Sequence, residues 1–118
     1  MNVAQLLQQI KTTPESVEFS EVMAVIDESY HYIPSRFTNG LGDKAVVNEA
    51  GTNEGSCRIF AFARLNQLSE AETLACFGAY YRDEVLGDPQ GDSHGNIRRF
   101  MTDGWAGISF DGEVLAIK

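Results

Sequence analysis

The run Gly55-Ser56-Cys57-Arg58-Ile59-Phe60-Ala61-Phe62-Ala63-Arg64-Leu65 is apolar on most faces of the helix it would form, with Arg58 and Arg64 as its exceptions. That pattern suits an element surrounded by protein on several sides. A chain of 118 residues can close around one core and is too short for two. The remaining elements therefore have to cover this helix, and residues 1–118 are expected to form a single domain. Hydrophobic residues make up 43% and charged residues 22%, enough apolar surface to offset the entropy of ordering, so disorder along the whole chain is not expected.

Further helices follow from spacing and caps. Val3, Leu6, Leu7 and Ile10 recur at intervals of three and four behind Asn2, a good N-cap, and Thr12-Thr13-Pro14 ends that helix. Pro14 can open a further helical stretch. A second helix is expected over Phe19 to Ser29, with Val22, Ile26 and Tyr30 as one stripe, Met23 alongside and a solvated acidic face. Ser69-Glu70-Ala71-Glu72 matches a capping box, and the stripe Leu74, Phe77, Gly78, Tyr81, Val85 predicts one helix running from there to Gly87. A last helix over about 94–103 would be capped by Asp92 or Ser93, bury Ile97, Phe100 and Met101, and close at Gly104.

Strand signals are shorter. Residues 30–38 read as an edge strand limited by Pro34, and Ala45-Val46-Val47 as a short strand among glycines. Gly107 to Phe110 and Glu113 to Ile117 flank Asp111-Gly112, whose glycine suits the positive φ of a type I′ turn, so a C-terminal β-hairpin is predicted. The expected fold class is α+β, a small helical cluster packed on a short antiparallel sheet.

The formal net charge of -8 repels phosphate backbones, and nucleic acid and anionic membranes are not expected as partners. A cationic partner is electrostatically easier, although acidity also serves solubility alone. Cys57 and Cys76 each fall in an apolar run and read as buried free thiols. The chain begins without a basic region and apolar signal core, so a reduced, cytoplasmic protein is expected as synthesised. No apolar stretch approaches the roughly 20 residues needed to cross a bilayer.

Four constellations could carry chemistry. Asp92-Ser93-His94 with Asn96 stands at a glycine-flanked helix start, where free N–H groups favour a neutral imidazole able to act as base; the plainer reading makes Asp92 a cap and His94 a surface residue. A nucleophilic Cys-His pair or a zinc site would need Cys57 or Cys76 beside His31 or His94, and none of these four falls in the close pairs that zinc modules use, so no metal is expected. Gly51-Thr52-Asn53-Glu54-Gly55-Ser56 could present backbone N–H groups to a phosphate, but Glu54 and the missing Gly-Lys-Ser or Gly-Lys-Thr ending favour ordinary helix capping. Finally Tyr30, Tyr32, Phe37, Tyr80, Tyr81 and Trp105 could line a cleft with Arg82, Arg98 and Arg99 as anchors, or simply fill a core. Adjacent tyrosines on a helix point about 100° apart, so one of Tyr80 and Tyr81 should be partly accessible.

Several stretches taken together resemble the HopJ type III effector family: Val17-Glu18-Phe19 with Ile26-Asp27, Phe37-Thr38-Asn39-Gly40, Ala50 to Cys57, Cys76-Phe77-Gly78-Ala79-Tyr80-Tyr81-Arg82, and His94-Gly95-Asn96-Ile97-Arg98 with Gly104-Trp105. The resemblance implies a bacterial protein related to one delivered into host cells by type III secretion, with no established enzymatic mechanism to carry over. The expected function is a non-catalytic binding domain for an unknown protein or small ligand, without a cofactor. Its expected contact residues are Tyr80, Tyr81, Arg82, Asn96, Arg98, Trp105, Asn53 and Glu54. The alternatives are a small hydrolase or transferase using His94 and Asp92, and a housekeeping relative that is not secreted.

Overall fold

The computed structural model describes residues 1–118. Helix α1 (Val3–Thr12) is followed by a 3-10 turn from Pro14 to Ser16, α2 (Phe19–Ser29), β1 (Tyr30–Tyr32), β2 (Phe37–Asn39), β3 (Val46–Asn48), α3 (Glu54–Leu65), α4 (Glu70–Ala75), a π-helical turn (Tyr80–Val85), α5 (Gly95–Asp103), β4 (Ile108–Phe110) and β5 (Leu115–Ile117). The class is α+β. Helix α3 occupies the centre, with Cys57 and every residue from Ile59 to Ala63 buried. Its two arginines are accommodated at the margins. Arg58 reaches Asp27 at 2.7 Å and lies over the Tyr32 ring, while Arg64 sits against Trp105 and Phe110 and donates to the Ile108 carbonyl.

Both C-terminal strands form where expected, but they do not pair with each other. β4 joins β2 and β5 joins β1, all antiparallel, with β3 on the other side of β2. Tyr32 opposes Leu115 and Phe37 opposes Phe110, so four residues intervene on each side and the register carries through. Two bonds bridge the interval, Ile33 N–H to Val114 O at 2.7 Å and Asp111 N–H to Arg36 O at 3.0 Å. Residues 30–39 and 108–117 thus form one long two-stranded ribbon. It is interrupted where Pro34 has no N–H to donate. Gly112 takes no positive φ and faces Ser35 instead of turning a hairpin.

The helix expected from Ser69 to Gly87 is broken. Ser69 and Glu72 form the capping box, with reciprocal bonds of 2.8 and 3.1 Å. At Gly78, however, φ is +61°, and a Cβ there would lie 2.8 Å from the Phe19 backbone nitrogen. Only glycine lets the start of α2 come this close. The chain resumes as a wider turn, with Leu86 N–H bonding Tyr81 O five residues back. Tyr81 then packs on the core while Tyr80 stays 40% exposed.

The Ser69 N–H and, beyond it, Lys11 hold the Glu72 carboxyl below its usual range. A folded pKa below the unfolded one means stability present at neutral pH and lost as pH falls through the folded value. Glu72→Gln keeps the box but not the charge, so the wild type should exceed it by about 0.5 kcal/mol near neutrality, with no difference in strong acid. Urea melts at the two pH values read this directly.

Candidate functional site

Two helices begin at one place. Asn53 precedes α3 and His94 precedes α5, and both are in the left-handed region, with φ of 48° and 53°. Asparagine and histidine are among the residues that tolerate it best. Neither side chain caps its own helix. Asp92 and Ser93, the expected caps, lie two residues and one residue too early because the left-handed turn at His94 is what redirects the chain.

The Asn53 amide instead donates to Asn48 Oδ1 at 2.7 Å, and the Asn96 amide donates to the same oxygen at 2.9 Å. Asn39 donates to Asn96 Oδ1 and to its carbonyl, at 3.1 and 2.8 Å. Asn39, Asn48 and Asn96 are buried. Buried amides are mostly hydrogen-bonded, and here all but Asn39 Oδ1 find partners, tying β2 and β3 to the first residues of α3 and α5.

Between those helix starts lies a cavity of about 340 Å³. Phe19, Phe77, Tyr80 and His94 supply rings, and Asn53, Gly55, Ser56, Gly95 and Asn96 supply polar groups and backbone. Tyr80 stacks edge-on to Phe19 at 5.1 Å and lies 5.2 Å from the His94 ring, whose Nε2 is 2.8 Å from Glu84 Oε1. A Cβ on Gly55 would come 2.8 Å from Phe19 Cζ, so glycine is what allows Phe19 against the first turn of α3. The first N–H groups of a helix have no intrahelical acceptor, and no side chain accepts from Gly55, Ser56, Gly95 or Asn96. Although the chain has 17 acidic residues, no carboxylate lines this cavity. The arrangement can hold a group with several acceptor atoms against a partly aromatic wall.

Of the residues expected to form a groove, Tyr80, His94, Asn96 and Asn53 meet here. The others do not. Arg82 borders a neighbouring hollow, beyond the Phe19–Tyr80 ring pair, and its guanidinium is taken by the carbonyls of Pro14 and Val17. Arg98 holds the loop before α5 through the Asp88 and Ser93 carbonyls. Trp105 donates from its ring to Leu68 O and packs edge-on to Phe100. Tyr81 belongs to the core, and Glu54 and Asp92 are not among the lining residues. Sequence reasoning missed Phe19, Phe77, Gly95 and Ile97 as cavity residues, and Asn39 and Asn48 beneath them, and it set Gly55 and Ser56 aside in favour of ordinary helix capping. The available signal was a repeated one: a polar residue tolerant of positive φ followed within two positions by glycine at a helix start, in Asn53-Glu54-Gly55 and again in His94-Gly95.

Neither thiol joins this site. Burial pushes both up, Cys76 to about 12, and Cys57 Sγ faces the Ser35 carbonyl while Cys76 Sγ faces that of Glu72. No three His, Cys, Asp or Glu side chains gather to hold an ion.

Fold and cavity define a small α+β protein built around one largely buried helix, with a donor-lined pocket at the shared start of two helices. The model of the HopJ type III effector protein family matches residues 3–115, and the chain belongs to that family. It is similar to the solved structure of VPA0580, a protein described as of unknown function, at 46% identity and a TM-score of 0.94, over 100% of this chain and 95% of the other. No curated protein matches significantly. No helix is long and apolar enough to cross a membrane.

Proposed function

We propose that this HopJ family member is a non-catalytic binding domain whose α3/α5 cavity receives a small ligand, or one group of a partner protein, through a carboxylate or similar acceptor-rich moiety. One observation carries the reading: two helix starts open on a single ring-walled cavity that no carboxylate lines. Helix N-terminal N–H groups favour negative charge. The enzyme alternative paired His94 with Asp92, which does not line the cavity; His94 Nε2 lies instead 2.8 Å from Glu84 Oε1. The family's name supports delivery by a type III system as the setting for that binding.

Titrating the ¹⁵N-labelled protein with acetate should shift the amide signals of Gly55, Ser56, Gly95 and Asn96 and leave those of β5 in place. Ser56→Phe, which fills the cavity, should suppress the response in a protein that still melts cooperatively. Unmoved signals, or esterase turnover abolished by His94→Ala, would count against a binding role.

A further inference from the structure

We infer that a second hollow, lined by Lys44, Arg98 and Arg99 and joined to the α3/α5 cavity at Gly95, is a phosphate subsite, so that the ligand is a small phosphorylated molecule. This rests on the α3/α5 cavity being a binding site.

The hollow measures about 230 Å³ and is completed by Val46, Gly95 and Thr102. Three of the chain's nine cationic side chains line it and no carboxylate does, in a chain whose overall net charge is -8. Their charges are largely uncompensated. Lys44 makes no ion pair or side-chain hydrogen bond; Arg98 donates to the uncharged oxygens of Ser93 and Asp88; Arg99 alone has a carboxylate, Asp103 at 3.2 Å, which also accepts the Leu41 N–H. A compact dianion suits a hollow lined by three cationic residues and no carboxylate better than a carboxylate does.

Gly95 lines both cavities, and a Cβ built there meets nothing within 4 Å. No side chain therefore stands on the residue the two linings share. A phosphoryl group over Lys44 leaves the rest of a small molecule free to pass Gly95 toward the Tyr80 and His94 rings. Nucleic acid is a poor occupant, because the field of the whole chain opposes an extended polyanion.

Phenyl phosphate and inorganic phosphate are the probes, followed by amide shifts. Both should move signals around Lys44 and Arg99, with phenyl phosphate binding at least about tenfold tighter and also moving Gly55 and Ser56. Lys44→Glu, at an exposed side chain, should weaken both probes about tenfold and leave the acetate response at Gly55 and Ser56 unchanged. Gly95→Leu should erase the advantage of phenyl phosphate with no loss of melting temperature. Phosphate shifts confined to Gly55 and Ser56 and indifferent to Lys44→Glu would overturn the subsite while sparing the first cavity. Equal affinity of the two probes would overturn the passage at Gly95, and no shifts with acetate or phosphate would overturn both readings.

Discussion

Replacing Phe60 by alanine should remove about 3–5 kcal/mol of stability, the largest loss expected from any single apolar truncation in this chain. The Phe60 side chain is inaccessible to solvent, and its ring lies 5.0 Å from Phe100, 5.5 Å from Phe77 and 6.0 Å from Phe37. Those rings come from α5, from the turn after α4 and from β2, so this one side chain is where three separate layers meet. Alanine would lose the transfer energy of the ring and leave a void that rigid aromatic neighbours cannot collapse to fill. For a domain whose whole stability is about 5–15 kcal/mol, that is a substantial share. Equilibrium urea unfolding should show a lower midpoint at an unchanged slope, and Phe60→Leu should recover more than half of the loss. A cost below about 1 kcal/mol would mean that Phe60 does not organise the core.

Asn48→Asp should cost about 3 kcal/mol or more at neutral pH and almost nothing in acid. The change is nearly isosteric, so packing is preserved and electrostatics alone is tested. Asn48 is 2% exposed, and its amide nitrogen faces Asn96 Oδ1 at 3.2 Å, Val46 O at 3.3 Å and Phe37 O at 3.5 Å. A carboxylate oxygen in that position would meet three acceptors and no donor. The aspartate would stay protonated in the fold, with its pKa above the unfolded value of about 3.9. An acid whose folded pKa is raised binds more protons folded than unfolded, so stability falls with rising pH, by about 1.4 kcal/mol per pH unit between the two values. Melts of variant and wild type at several pH values should therefore coincide in acid and diverge on the way to neutrality, whereas Asn48→Ala should lose about 1–3 kcal/mol at every pH. A pH-independent cost for the aspartate variant would show that the site is wetter than its burial implies. Because Asn48 Oδ1 holds both Asn53 and Asn96, the same variant should blunt the acetate response of the cavity.

Much of the fold was legible because its causes are local. Asn2 with Gln5, and Ser69 with Glu72, close their capping boxes over three residues, and both helices start where those residues stand. The near-continuous apolarity of residues 55–65 correctly marked the central helix. Asp111-Gly112 misled for the same reason: a two-residue stretch that fits a tight turn says nothing of the strand across from it, and 30–39 was the better partner for both C-terminal strands. Gly78 read as one place in a helical stripe, since nothing near it in sequence reveals that α2 must pass against its Cα.

The site divides along the same line. His94, Asn96 and Asn53 were visible as polar residues at glycine-rich helix starts, and Tyr80 as one of two tyrosines unable to share a core. Their meeting was not visible. It depends on amide bonds between Asn39 and Asn96 and between Asn48 and Asn96, partners 57 and 48 residues apart. By itself the sequence determined where most helices and strands form and most of the faces that are buried, Met101 at 44% exposure being an exception, because capping, periodicity and side-chain burial act within a few residues. Tertiary structure decided which strands pair, where a helix must break and which residues share a cavity, because those outcomes depend on contacts between segments whose separation along the chain carries no record of their distance in space.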